Sequence, residues 1–184
     1  MNAPSPKGFG RPERSNTIEK VVEYRFLADL TAELLRRDID FEVLRGDVDA
    51  YGYDIVIETR GVPRHIQLKS SYRGSGTRRQ TVSLLLTTKQ SGCLVWITYD
   101  PVTYALEKFR FLGGPLGTSF VIPPDAPVAR STRPDATGAR PLRNNHRVIK
   151  PNNMQEATTI SEVADLLFGP DQQTGQVSRP ASAP

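Results

Sequence analysis

Two rhythms of apolar residues divide the chain. Ile18, Val22, Leu27, Leu30 and Leu34 recur at helical spacing, Asn16 stands where a cap belongs and Glu19 follows it by three residues, so a helix is predicted over residues 17–37. The rhythm then changes to alternation. Ile39, Phe41 and Val43 interleave with Asp40 and Glu42 as in a strand, and residues 46–52 form an acidic segment bounded by glycines. Residues 53–58 and 64–70 alternate on either side of Thr59-Arg60-Gly61-Val62, where Gly61 supplies the positive φ of a tight turn, and a β-hairpin is predicted. A basic mobile loop is expected over 71–80. β character resumes over 81–86, and a second hairpin joins 94–99 to 106–111 through Asp100-Pro101-Val102-Thr103. Repeated prolines predict a long irregular connection over 115–141, and Thr159 with Glu162 makes the capping box of a final short helix that stops at Gly169-Pro170.

These elements predict one α/β domain over residues 16–169. The tails at 1–15 and 170–184, rich in Pro, Ser, Gly and Gln, are expected to be disordered. With 38% hydrophobic residues in 184, the chain can bury a core without disulfides or structural metal. The single cysteine, Cys93, lies in an apolar run and has no partner for a disulfide or a zinc site, which suits a reducing cytoplasm. No apolar run approaches the ~20 residues of a membrane-spanning helix and the N-terminus lacks the apolar centre of a secretory signal, so neither membrane insertion nor export is expected.

The net charge of +4 is weak information, but its distribution is not. Residues 17–58 hold eleven of the twenty acidic residues, residues 59–80 hold six Lys or Arg and no acid, and residues 126–150 add six bases against Asp135 alone. Two basic clusters beside a carboxylate-rich segment point to phosphate contact.

The hairpin carries the candidate chemistry. A two-residue turn at Arg60–Gly61 sets Asp54 opposite Gln67 with Lys69 diagonally across, and it puts Ile55, Ile57, Ile66 and Leu68 on the reverse face. A carboxylate, an amide and an ammonium on one patch are the groups that phosphodiester hydrolysis uses: oxygen donors for Mg²⁺ and a positive charge for the attacking hydroxide or the developing phosphorane. Glu23 adds a second acid, since it aligns with Leu27, Leu30 and Leu34 on the core-facing stripe of the first helix. Burying a carboxylate is costly unless it is paired or bound to metal, and a position beside Asp54 would account for it.

A helix bearing Glu23, then Gly52-Tyr53-Asp54, then Ile66-Gln67-Leu68-Lys69 closing a hairpin resembles the PD-(D/E)XK nucleases. The likeness is to the branch with Gln at the second acidic position, as in Mrr-like restriction endonucleases, and it spans roughly residues 17–100. It implies a restriction-endonuclease-like α-β-β-β-α-β core with a mixed central sheet flanked by helices. It also implies Mg²⁺- or Mn²⁺-dependent cleavage of DNA, metal ligation by Asp54 with Glu23, Gln67 and the Leu68 carbonyl, and a water-orienting Lys69. Glu23 matches the helix acid of many members, Holliday junction resolvases among them. The chain departs from the pattern at Tyr53, where proline is usual, and at Gln67, which removes a negative charge. Mrr-like enzymes usually carry a separate DNA-reading domain that this chain lacks, which suggests a targeting partner protein as in restriction or anti-phage systems. A homodimer is expected if both strands are cut.

Arg73, Arg78 and Arg79 follow Lys69 as a possible arm on the DNA backbone, and Arg140, Arg143, Arg147 and Lys150 form a second candidate contact surface. His65, Glu58, Asp47 and Asp49 read more simply as solvated or turn residues. Two other readings fit the same residues: a nuclease-fold module that binds nucleic acid or a partner protein without cutting, and a junction resolvase or RNA nuclease.

Overall fold

The computed structural model describes residues 12–45 and 51–171; Asp47 and Asp49, with most of both expected tails, lie outside them. Helix α1 spans Pro12–Arg36 and starts five residues before the expected boundary. Proline's fixed φ suits a first helical turn, so Asn16 is an interior residue rather than the cap. Strands β1 (Phe41–Leu44), β2 (Ile55–Thr59) and β3 (Val62–Tyr72) form an antiparallel meander. The hairpin register is the one the turn predicts: Thr59 pairs with Val62 and Ile55 with Ile66, while Arg60 and Gly61 both take positive φ, 52° and 73°, as a two-residue hairpin turn requires.

Strand β3 runs parallel to β5 (Cys93–Tyr99), β5 pairs antiparallel with β6 (Leu106–Gly113), and β6 with the short β9 (Gln155–Ala157). Six strands in the order β1-β2-β3-β5-β6-β9 therefore make one mixed sheet. Helix α1 and the closing helix α2 (Ile160–Phe168) cover one face, where Phe26, Leu30 and Leu34 meet Ile55, Ile57, Ile66, Val95 and Ile97. The capping box of α2 forms as the sequence predicts, with Thr159 and Glu162 each accepting from the other's backbone. Arg37, 3% exposed, ties the helices together: it donates to Glu33 on α1 and to Asp165 and the Ser161 carbonyl on α2.

The mixed α/β class agrees with expectation, but the parallel crossover differs from the order the resemblance implies. Between β3 and β5 stands no α-helix; the chain forms β4 (Gln80–Ser83) and a 3-10 turn at Leu84–Thr88. Pairing of β4 with β8 (Leu142–Ile149) leaves five residues for a helical turn before the chain enters the turn that leads to β5. The β character read at 81–86 holds for residues 81–83, whereas 84–86 belong to the 3-10 turn. Within the expected irregular connection, β7 (Val128–Arg130) also pairs with β8, giving a second sheet β4-β8-β7. This sheet packs on the other face of the first through Val82, Ile149, Leu94 and Trp96. The hairpin face that carries Gln67 is therefore covered, with Val56 and Gln67 buried on it.

Candidate active site

Strand β3 is eleven residues long and β2 only five, so residues 67–72 of β3 run past the end of their antiparallel neighbour. Asp54 sits at that step. Its N–H still donates to the Ile66 carbonyl at 2.9 Å, but its carboxylate Oδ2 accepts from the Leu68 N–H at 2.6 Å. The side chain thus takes the place of a ladder carbonyl, which ends the strand and holds the carboxylate at the sheet edge instead of on either face. Asp54 thus meets Leu68 through the Leu68 amide, a donor.

Beside this step lies a cavity of about 490 Å³ bounded by α1, by the exposed stretch of β3 and by the start of β4. Asp54, Leu68, Lys69, Ser70 and Gln80 line it on the strand side, and Asn16, Glu19, Lys20, Val22 and Glu23 on the helix side. Glu23, Asp54, Leu68 and Lys69, four of the residues singled out from sequence, thus meet at one opening. Glu23 is buried, 8% exposed, as its place on the apolar stripe predicts. Its charge is balanced by Lys20 Nζ at 2.7 Å on one oxygen and by Arg45 at 3.3 Å on the other. Lys20, one helical turn before Glu23, is held further towards its charged form, first by its hydrogen bond to that acid. The Lys69 ammonium forms neither an ion pair nor a hydrogen bond among the described residues.

Gln67 does not line the cavity. Its amide is 6% exposed and its Oε1 accepts from the Ser83 N–H at a long 3.4 Å, so it ties β3 to the end of β4. Ser83 in turn caps the 3-10 turn and lies against Gly52, whose φ of 76° and missing side chain let the chain pass directly over it on the way to Asp54. The Gly52-Tyr53-Asp54 segment is thereby braced by the crossover.

His65 donates through Nδ1 to the Gln90 carbonyl and meets the Tyr53 ring edge-on, and burial pushes its pKa down. Arg73 is drawn to Asp100 and Glu107 at the far end of β3, away from the cavity. Arg78 and Arg79, which precede Gln80 at the cavity wall, are exposed and form no ion pair among the described residues. Burial pushes the Cys93 thiol up to about 12, which leaves it inert. Sequence reasoning missed the lining residues Asn16, Lys20 and Gln80, although Lys20 three positions before Glu23 was a readable signal. It also missed Arg64, which shares the face of Ile66 and Leu68: fully buried, it donates to the Gly114 and Leu166 carbonyls and lies over Phe111.

Three carboxylates line the opening, Glu19 and Glu23 from α1 and Asp54 from the strand side, and they are hard oxygen donors, the type that magnesium takes in ones and twos while keeping water in its other positions. Among the described residues no group of three or more His, Cys, Asp or Glu side chains gathers closely enough to hold a metal ion on its own. The donor set therefore fits a cation that is partly hydrated and completed by substrate oxygens, and it does not fit a closed structural metal site.

No helix among the described residues is long and apolar enough to cross a membrane. No family model matches the chain, and no curated protein does. Among solved structures, a bacterial homing endonuclease, I-Ssp6803I, is similar to this chain at 17% identity and a TM-score of 0.31, over 71% of this chain and 87% of that one, a likeness too slight to bear on fold or activity.

Proposed function

We propose that this protein is a metal-dependent endonuclease acting on DNA. The observation that carries the reading is the meeting of Glu23 from α1, Asp54 from just before β2 and Lys69 from β3 on one cavity, with Arg78 and Arg79 on the segment that leads into its wall. Hydrolysis joins a water oxygen to phosphorus, breaks the bond to one sugar oxygen and returns a proton to that leaving group. A magnesium or manganese ion held by Asp54 and Glu23 would supply positive charge against the phosphate oxygens and acidify water. Lys69 sets its ammonium where the attacking water and the scissile phosphate enter, holding both in line. The backbone of Leu68 fixes the Asp54 carboxylate, so no reorganisation of that group is needed during reaction. Each cavity serves one phosphodiester bond at a time, and cutting both strands takes a homodimer.

The test is cleavage of linear, supercoiled and branched DNA and of RNA by the purified chain, with Mg²⁺ or Mn²⁺, beside Asp54→Ala and Lys69→Ala. Metal-dependent cuts that vanish in both variants support the reading; intact substrates across a broad protein range refute it. A second reading, a module that binds without cutting, draws on the ion pairs that occupy Glu23 and on the turn of Gln67 towards Ser83. Calorimetry separates the two, because the enzyme requires an Asp54-dependent cation site and the binding module does not.

A further inference from the structure

The β7–β8 hairpin is built unlike the rest of the molecule. Between Ser131 and Leu142 the chain runs out and back with every residue from 132 to 145 exposed, so this arm buries almost nothing of its own. It carries Arg130, Arg133, Arg140, Arg143 and Arg147, with Lys150 at its root. The single acid, Asp135, is spent within the tip, where its carboxylate accepts from the Thr137 N–H and hydroxyl and from the Ala139 N–H. Elsewhere arginines serve as staples: Arg36, Arg37, Arg45, Arg73 and Arg110 all meet carboxylates. Among the described residues none of the arm's arginines does. Arg130 donates to the Arg140 carbonyl, Arg147 to the Asn144 and His146 carbonyls, and Arg143 contacts the His146 ring, so their charges stay uncompensated.

The arm is joined directly to the candidate active site. Gln80, a wall residue of the cavity, pairs with Ile149 at the root of β8, and β8 leads outward from there to Leu142. Seven residue steps of strand extend roughly 23 Å, about seven base pairs of duplex. A two-stranded ribbon is also the right width for the major groove of B-form DNA, about 12 Å across.

We propose that the β7–β8 ribbon lies in the major groove of duplex DNA, with Arg133, Arg140 and Arg143 on the flanking phosphates and Asn144 and Asn145 towards the base edges. The inference rests on the nuclease reading for its choice of DNA. Arginines on phosphates give affinity and register, while adjacent asparagine amides offer the paired donor and acceptor that adenine presents in that groove.

The test is fluorescence anisotropy of a labelled 24-base-pair duplex with the full chain in EDTA, so that binding is read without cleavage, beside the triple variant Arg133→Gln, Arg140→Gln, Arg143→Gln. Losing three phosphate contacts reduces the slope of log affinity against log salt by about 2.7, which is roughly forty-fold less sensitivity between 50 and 200 mM salt. Asn144→Ala with Asn145→Ala should leave that slope unchanged and flatten the preference among duplex sequences. Far-UV circular dichroism confirms that each variant is folded. An unchanged slope in the triple variant overturns the proposal. Equal or tighter binding of an RNA duplex of the same sequence also overturns it, because the deep, narrow major groove of A-form RNA does not admit a ribbon. Cleavage by the unaltered chain is scored separately, so the arm and the nuclease reading fail independently.

Discussion

Replacing Gly52 by alanine tests how the segment before Asp54 is held. The residue takes φ of 76°, and a Cβ built on it would stand 2.3 Å from the Ser83 Cβ and 2.6 Å from its Oγ. The left-handed backbone costs a non-glycine residue roughly 1–2 kcal/mol, and forcing a methyl group into a closed contact costs about 1–3 kcal/mol more. The sum, about 2–5 kcal/mol, corresponds to a melting temperature lower by roughly 5–15 °C in a domain of this size. Thermal unfolding followed by circular dichroism measures it. The two costs separate in a double-mutant cycle with Ser83→Gly: once the Ser83 side chain is gone, the nearest remaining atom is its Cα at 3.8 Å, so the overlap disappears and the backbone cost remains. A coupling of about 1–3 kcal/mol between the two positions is expected. A Gly52→Ala protein that melts within a degree of the parent, or a cycle with no coupling, refutes the bracing of Asp54 by the crossover.

Glu33 is held at about 2 by Arg36 first and by Arg37, against an ordinary 4.5. Its folded pKa is depressed, so its stabilisation is full above about pH 4.5 and is lost as pH falls through about 2. At about 1.4 kcal/mol per unit the shift is worth about 3.4 kcal/mol, and screening of the 58% exposed Arg36 reduces this to about 1.5–2. Urea unfolding from pH 5 to 2 should fall less steeply in Glu33→Gln. Gln67→Ala leaves the Ser83 N–H buried without an acceptor and should cost about 1–3 kcal/mol in chemical denaturation; its activity per folded molecule should fall far less than that of an Asp54 variant. Lys20→Met frees one oxygen of Glu23 and should tighten Mg²⁺ binding about five-fold in calorimetry, the scale of one exposed ion pair.

The parts of the fold governed by local rules were legible in the sequence. The Arg60–Gly61 turn sets the register of eleven-residue β3 against β2, Thr159 and Glu162 set the start of α2, and the stripe of α1 predicts that Glu23 is buried. What was hidden depends on distant pairing. Prolines between 115 and 141 conceal β7, and β8, whose first four residues are exposed, shows no apolar alternation there, so nothing local announces the second sheet. That sheet decides the site. By covering the hairpin face it buries Gln67, and the alternation that grouped Gln67 with Asp54 does not apply to a residue standing just outside β2. Arg64 was hidden for a related reason: only the α2 and Gly114 carbonyls that receive it make a buried guanidinium tolerable.

The most direct test of the account is the rate of plasmid nicking in Mg²⁺ by the unaltered chain, Asp54→Asn and Lys69→Met, each shown to melt within a few degrees of the parent. The account predicts metal-dependent nicking that falls by roughly 10²–10⁴-fold in each variant, the scale of one positioned group in the transition state. Nicking that persists undiminished in folded Asp54→Asn, or that never appears in the unaltered chain with either Mg²⁺ or Mn²⁺, contradicts it.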